Sequence, residues 1–314
     1  MAEASLAARS GARAEAPRAL AAALRRRQAL AAWSLTGPAL LLMALLLIGP
    51  VAAVALLSLT DYQLGARSLA FVGLDNYADL AGDRVFWTSL TNTLLYVALV
   101  VPGAVGLGLG VALLIEAGGS LKSLYRAVFF VPVMATLIAM AISWEFMLQP
   151  SFGLVNLCLR ALGLPGHNWL QEPDLALPVL AVIGIWQLFG FNMVLFLAGL
   201  VSIPRQLYEA AAMDGARSAW SRFRLVTLPM LGPVLLFVLV ISAIRSFQVF
   251  DTVQVLTKGG PAKATEVLLY SMYAEGFEFF RSGYASAITV VFLVFVLILT
   301  LVKARILERR VHYG

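Results

Sequence analysis

The sequence predicts an all-α integral membrane protein with six transmembrane helices and a cytoplasmic helix between the fourth and fifth. Three observations carry this. Of 314 residues, 61% are hydrophobic and 13% charged, whereas a soluble domain carries about 25% charged residues. Six apolar stretches are long enough to cross a bilayer core, which takes about 20 residues in an α-helix. Lipid offers no partner for loose backbone N–H and C=O groups, so each stretch must be helical. Lysine and arginine gather in alternate connecting segments, the pattern that holds loops on the cytoplasmic side.

In chain order, residues 1–28 are Ala/Arg-rich and close with Arg25, Arg26 and Arg27. They read as a cytoplasmic tail, partly disordered or helical on the membrane surface. A signal peptide is disfavoured, because the following apolar run is too long and no small-residue cleavage site closes it. Residues 29–314 form the transmembrane domain, with spans at 33–59, 90–115, 127–148, 175–201, 230–250 and 284–302. Pro102, Pro132 and Pro178 are expected to kink their helices. With the N-terminus inside, the outer segments hold only Arg67, Arg84, Arg160, Lys258, Lys263 and Arg281 of the 23 basic residues, and Arg245 lies within the fifth span. All the others fall inside, so both termini are expected in the cytoplasm. The sequence pI near 9.7 reflects that bias and points to no nucleic-acid partner.

Several chemistries are disfavoured at once. Cys158 is the only cysteine, and His167 and His312 share no ligand spacing, so neither an intrachain disulfide nor a metal site is expected. No Ser/His/Asp set, H-E-x-x-H or paired-carboxylate constellation suggests an enzyme. A carrier driven by an ion gradient needs acids within its spans, and the candidates are few, chiefly Glu145 with Asp251 at a helix end.

The loop at residues 204–229 interrupts the apolar pattern with "YEAAAMDGARSAW". Pro204 suits a first helical turn, where its missing N–H costs nothing, and Gly215 suits a helix stop. A short helix over 205–214 follows, and Ser218 can cap a second piece running toward Leu228. Two readings fit. The loop rests on lipid headgroups, or its slim alanine helix enters a groove on another protein. Membrane-surface helices favour Lys/Arg opposite Trp/Phe/Leu, whereas this one is alanine-rich and carries Glu209 and Asp214.

The continuation "YEAAAMDGARSAWSRFRLVTLP" resembles the EAA signature of bacterial ABC-importer permeases: Glu-Ala-Ala, three residues, Gly, nine residues, an aliphatic, one residue, Leu-Pro. Glu209, Ala210, Ala211, Gly215, Val226, Leu228 and Pro229 match in kind. One departure stands out: ten residues, not nine, separate Gly215 from Val226. The segments "FVGLDNYADL" (71–80), "YRAVFFVPVM" (125–134), "LAGLVSIP" (197–204), "FQVFDTVQVLTKGGP" (247–261) and "GYASAI" (283–288) follow in the order of the carbohydrate-uptake branch, closest to maltose-permease-type and glycerol-phosphate-permease-type subunits.

The resemblance implies a type I ABC importer permease fold in a bacterial inner membrane, moving a sugar or a glycerol phosphate. It implies a second permease subunit, two copies of a cytoplasmic ATPase that bind ATP and Mg, and an extracytoplasmic solute-binding protein. It makes Glu209, Ala210, Ala211, Asp214, Gly215 and Arg217 the residues that couple to the ATPase. This chain carries no G-x-x-x-x-G-K-[ST] loop of its own, in keeping with ATP acting elsewhere.

Polar and aromatic residues within the spans are the candidates for a substrate pathway, since such groups are costly in lipid and tend to face a cavity. They are Trp144 and Glu145 in the third span, Gln187, Phe191 and Asn192 in the fourth, and Arg245, Ser246, Gln248 and Asp251 in the fifth. Sugars suit this mixture of rings and hydrogen-bonding groups. Each residue also fits a plainer role as polar glue between helices. Arg245 fits an anionic substrate or an ion pair with Asp251 or Glu145. The connections around 60–89 and 149–174, with Asp61, Asp75, Asp79, Asp83, Asn168, Trp169, Glu172 and Asp174, are expected to form a docking rim for the binding protein or to be solvated connectors.

Overall fold

A computed structural model of the chain describes residues 26–310. Residues 1–25 of the expected tail, and the side chains of the C-terminal basic cluster from Lys303 onward, lie outside that description. The chain divides into two units, Met1–Leu56 and Leu57–Gly314.

Helix α1, Arg26–Leu57, lies in the first unit except for its last residue. Its most apolar window has 0% of its residues buried, so hydrophobic side chains surround it on every side, as suits a helix solvated by lipid. It widens into a π-helical turn at Ala44–Ile48, where Gly49 N–H bonds Ala44 O. Pro50, which follows, has no amide to donate, and this loosens the register.

The second unit begins with a loop tied down by Asn76, whose Nδ2 donates to Ser58 O and Thr60 O, each at 2.8 Å. Helix α2 is Asp75–Gly82. Helix α3, Arg84–Ala117, runs for 34 residues and continues unbroken through Pro102. Asp83 caps it by accepting from Val85 N at 2.8 Å and also accepts from Tyr284 Oη at 2.7 Å. Where one span is expected at 127–148, two helices stand instead: α4, Lys122–Met134, and α5, Leu137–Met147. The axis bends by 100° between them. Ala135 and Thr136 take extended backbone there, just after Pro132 has removed one ladder hydrogen bond.

Helix α6 is Leu154–Ala161. Helix α7 is Pro173–Val201, with Pro178 inside it. A short helix α8, Arg205–Met213, and α9, Ala219–Arg222, lead through a π-helical turn at Phe223–Thr227 to α10, Gly232–Phe247. The unit closes with α11, Asp251–Leu256, α12, Leu268–Tyr273, and α13, Ser282–Arg310. Among the described residues the only extended pairing outside helices is one antiparallel bridge, Thr60 to Phe71. By length and composition, four helical stretches can cross a membrane: Arg26–Leu57, Arg84–Ala117, Pro173–Val201 and Gly232–Leu256. The bent α4–α5 pair makes a fifth if it is one span, and Ser282–Ile298 is a shorter apolar stretch.

Helices α3 and α7 pack along their length and bury Val100, Ala104, Leu180, Ile183, Met193 and Phe196. Lipid tails are as apolar as leucine, so close packing rather than water exclusion must hold such helices together. Gly108 permits it: a Cβ there would lie 2.8 Å from Asn192 Cβ. The connection from α11 to α12 is pinned onto α3. Asn92 Nδ2 donates to Lys263 O at 3.0 Å and Glu266 O at 2.9 Å, and Thr93 Oγ1 accepts from Leu268 N at 2.9 Å.

Candidate functional site

Two places gather the residues singled out in the sequence. The first is the loop between α7 and α10. Pro204, with φ −61° and ψ 132°, turns the chain into α8. At its other end Gly215 takes φ +93°, a left-handed conformation in which L side chains are strained. Ala216 N–H bonds Ala211 O at 2.8 Å and Gly215 N–H bonds Ala212 O at 3.2 Å. These two bonds make a Schellman turn, with Ala216 buried beneath it. Ser218 Oγ then accepts from Ser221 N at 3.0 Å and opens α9.

Helix α8 has two unlike faces. Tyr208 and Ala211 pack on the cluster of Ile203, Val226 and Leu231, and Tyr208 Oη lies 3.1 Å from Thr227 Oγ1. Glu209, Ala210, Ala212, Met213 and Asp214 face outward, as do Gly215 and Arg217 beyond the helix. Met213 is 89% exposed. Glu209, Asp214 and Arg217 make no ion pair among the described residues. Of the three alanines, Ala211 therefore anchors the helix and the other two present its slim surface. The ten residues between Gly215 and Val226 run into a π-helical turn, in which Leu228 N–H reaches back five residues to Phe223 O. A widened turn of this kind can absorb one residue and keep the segment helical.

The second place is a cavity of about 460 Å³ lined by Tyr96 and Val100 of α3, Val133 of α4, Gly184, Gln187 and Leu188 of α7, and Arg245, Ser246, Gln248 and Asp251. Gln187, Arg245, Ser246, Gln248 and Asp251 thus meet around one space. Phe191, one turn on from Gln187, holds the Arg245 guanidinium over its ring at 4.3 Å.

Four expected pathway residues do not line this cavity: Phe191, which acts on it only through Arg245, and Asn192, Trp144 and Glu145. Asn192 is one residue on from Phe191, a step of about 100° around the helix, and is fully buried. There it accepts from Ser242 Oγ at 3.1 Å and so joins α7 to α10. Trp144 and Glu145 sit on α5, beyond the 100° bend. Trp144 packs edge-on against Trp186 at 5.5 Å and lines a separate cavity of about 420 Å³ with Met140 and Met147. Glu145 is exposed. Tyr96, Val100, Val133 and Leu188 escape a search for polar residues. The spacing of Gly184, Gln187, Leu188 and Phe191 at three and four was the available signal.

The expected docking rim is partly spent on internal bonds. Asp61 Oδ1 accepts from Ala70 N at 2.7 Å, and Trp169 Nε1 donates to Asn156 Oδ1 at 2.9 Å. Asp61, Asp79 and Asp83 also border a cavity of about 540 Å³ with Glu266, Glu275 and Arg281. Among the described residues no group of three His, Cys, Asp or Glu side chains could hold a metal ion.

Residues 104–313 match the family described as binding-protein-dependent transport system inner membrane component. The chain is 33% identical to the sulfoquinovosyl glycerol transport system permease protein SmoG of Agrobacterium fabrum, over 88% of this chain and 90% of that one. It is 37% identical to the trehalose/maltose transport system permease protein MalF of Thermococcus litoralis, over 75% and 79%. Among solved structures, a chain of a bacterial alginate ABC transporter, crystallised with its alginate pentasaccharide-bound periplasmic protein, superposes with a TM-score of 0.78 at 24% identity. The match covers 90% of this chain and 96% of that one, and it shows the fold.

Proposed function

This chain belongs to the family of binding-protein-dependent transport system inner membrane components, and on that premise we propose that it is the permease subunit of an ATP-driven importer of a sugar or related carbohydrate. The relatives named for glycoside and disaccharide transport support the substrate class. In this reading α1, α3, the α4–α5 pair, α7, α10 with α11, and α13 are the six spans, and both termini are cytoplasmic. A second permease subunit completes the pathway. Two copies of an ATPase bind ATP and Mg beneath it, and an extracytoplasmic binding protein delivers the substrate above.

The observation that carries the coupling role is the two-faced helix α8. Its inner face, Tyr208 and Ala211, is fixed to the body of the permease. Its outer face ends in Glu209 and Asp214 and carries no large aromatic residue. Such a helix fits a groove in a partner. Closure of the ATPase pair on ATP would move α8, and α8 would move α7 and α10, to which it is joined at each end. The cavity beside Gln187, Arg245 and Asp251 would then open outward to receive substrate.

The test is Glu209→Lys in the reconstituted importer. ATP-driven uptake and substrate-stimulated ATP hydrolysis are expected to fall at least about tenfold, as reversal of one interfacial charge does, while the assembled complex remains in the membrane. Unchanged uptake and stimulation would remove α8 from the coupling path.

A further inference from the structure

Resting on the reading of this chain as a carbohydrate permease, we propose that the cavity beside Arg245 selects a substrate bearing an anionic group, such as a carboxylate, sulfonate or phosphate, on a hydroxylated frame. The first ground is the state of Arg245. Among the described residues no carboxylate lies within 4.0 Å of it, although Asp251 borders the same cavity. Its guanidinium rests on the face of Phe191 at 4.3 Å. That contact covers one face of the plane and leaves the N–H edge free. The edge of a guanidinium is the part that meets a carboxylate or phosphate with two parallel hydrogen bonds.

The second ground is Ser246. It is 3% exposed and borders the same cavity, and its Oγ has no hydrogen-bond partner. A buried hydroxyl without a partner is costly, and a ligand oxygen in the cavity would satisfy it. Gln187 and Gln248 add amide donors and acceptors, and Asp251 adds acceptors for substrate hydroxyls. A neutral sugar could be held by these groups alone. Arginine within an apolar span carries a large insertion cost. The Phe191 ring meets part of the charge, and an anionic group on the ligand engages the N–H edge that the ring leaves free.

The experiment uses the assembled importer in proteoliposomes, with Cys158→Ser removing the native thiol and Ser246→Cys placing a reporter in the cavity. Modification rates are measured with an anionic and a cationic methanethiosulfonate, MTSES and MTSET. The expected result is a rate ratio favouring MTSES that drops about tenfold in Arg245→Gln and persists in Arg245→Lys. Labelling by uncharged N-ethylmaleimide is then challenged with matched pairs, galacturonate against galactose and glycerol 3-phosphate against glycerol. At equal concentration an anionic member should protect better than its neutral partner, and Arg245→Gln should abolish the difference.

Three results would each overturn the proposal: a ratio insensitive to Arg245→Gln, equal protection by neutral probes, or protection by none. The first would also arise if a neighbouring subunit supplied a carboxylate to Arg245. ATP-driven import is scored separately. If import were absent while the anion bias held, the permease reading would fall and the anion site would stand.

Discussion

Replacing Gly215 tests the turn that closes α8, and the size of the effect can be worked from the geometry. A Cβ at Gly215 would meet nothing within 4 Å, so a side chain there causes no collision. The cost lies in the backbone, held at φ +93°. Left-handed conformations cost an ordinary L-residue roughly 1–2 kcal/mol, a β-branched residue suffers most, and asparagine is the tolerated exception. The Schellman turn is secured by two backbone bonds, Ala216 N to Ala211 O and Gly215 N to Ala212 O, each worth about 0.5–1.5 kcal/mol. The penalty is therefore comparable to what holds the turn together, while the helices of the body are untouched. The expected order of ATP-driven uptake is Gly215, then Asn, then Ala, then Val, with equal amounts of assembled complex in all four. Asparagine is larger than alanine, so the order separates backbone strain from crowding at a partner's groove. An order that follows side-chain volume would refute the strain argument, and uptake unaffected by Val would refute any role for the turn.

Other outcomes follow from single contacts. Tyr208→Phe removes the 3.1 Å bond to Thr227 and keeps the ring packing. About 0.5–1.5 kcal/mol of anchoring is lost, and ATP hydrolysed per substrate imported should rise. Ser242→Ala leaves Asn192 buried without its 3.1 Å donor. The solubilised complex should melt lower by about 1–3 °C, and adding Asn192→Leu should recover part of that loss. Gly108→Ala would place a Cβ 2.8 Å from Asn192 Cβ and 3.0 Å from Phe189 O. Overpacking of this kind costs about 1–3 kcal/mol and should lower the yield of assembled complex on size exclusion.

Four of the expected spans coincide with helices long and apolar enough to cross a membrane, and they were legible because lipid imposes a length and forbids alternatives. The expected third span shows the limit of that reading. Apolar content is continuous across Ala135 and Thr136, so nothing in hydropathy marks the bend, and Pro132 announces it only as a place where one hydrogen bond is missing. The α8 loop was legible almost residue by residue, since Pro204, Gly215 and Ser218 act through local backbone chemistry that tertiary packing does not override. The cavity was half legible. A polar residue in a span announces a cost, but not the direction in which it is repaid: Gln187 and Arg245 turn to the cavity, whereas Asn192 spends its carbonyl on Ser242. Trp144 and Glu145 lie away from the cavity because α5 leaves the line of α4.

The π-helical turn at Phe223–Thr227 bears on how such a loop tolerates change. In an unbroken α-helix one added residue rotates everything downstream by about 100° and advances it by about 1.5 Å. Ser218 and Leu228 would then present different faces to their neighbours, and the error would propagate into α10. A single wide turn confines the excess to its own circumference. The segments on either side keep their phase, so the loop behaves like a spliced cable whose ends still point where they did. A gain or loss of one residue between Gly215 and Val226 can thus be absorbed without rotating either α8 or α10.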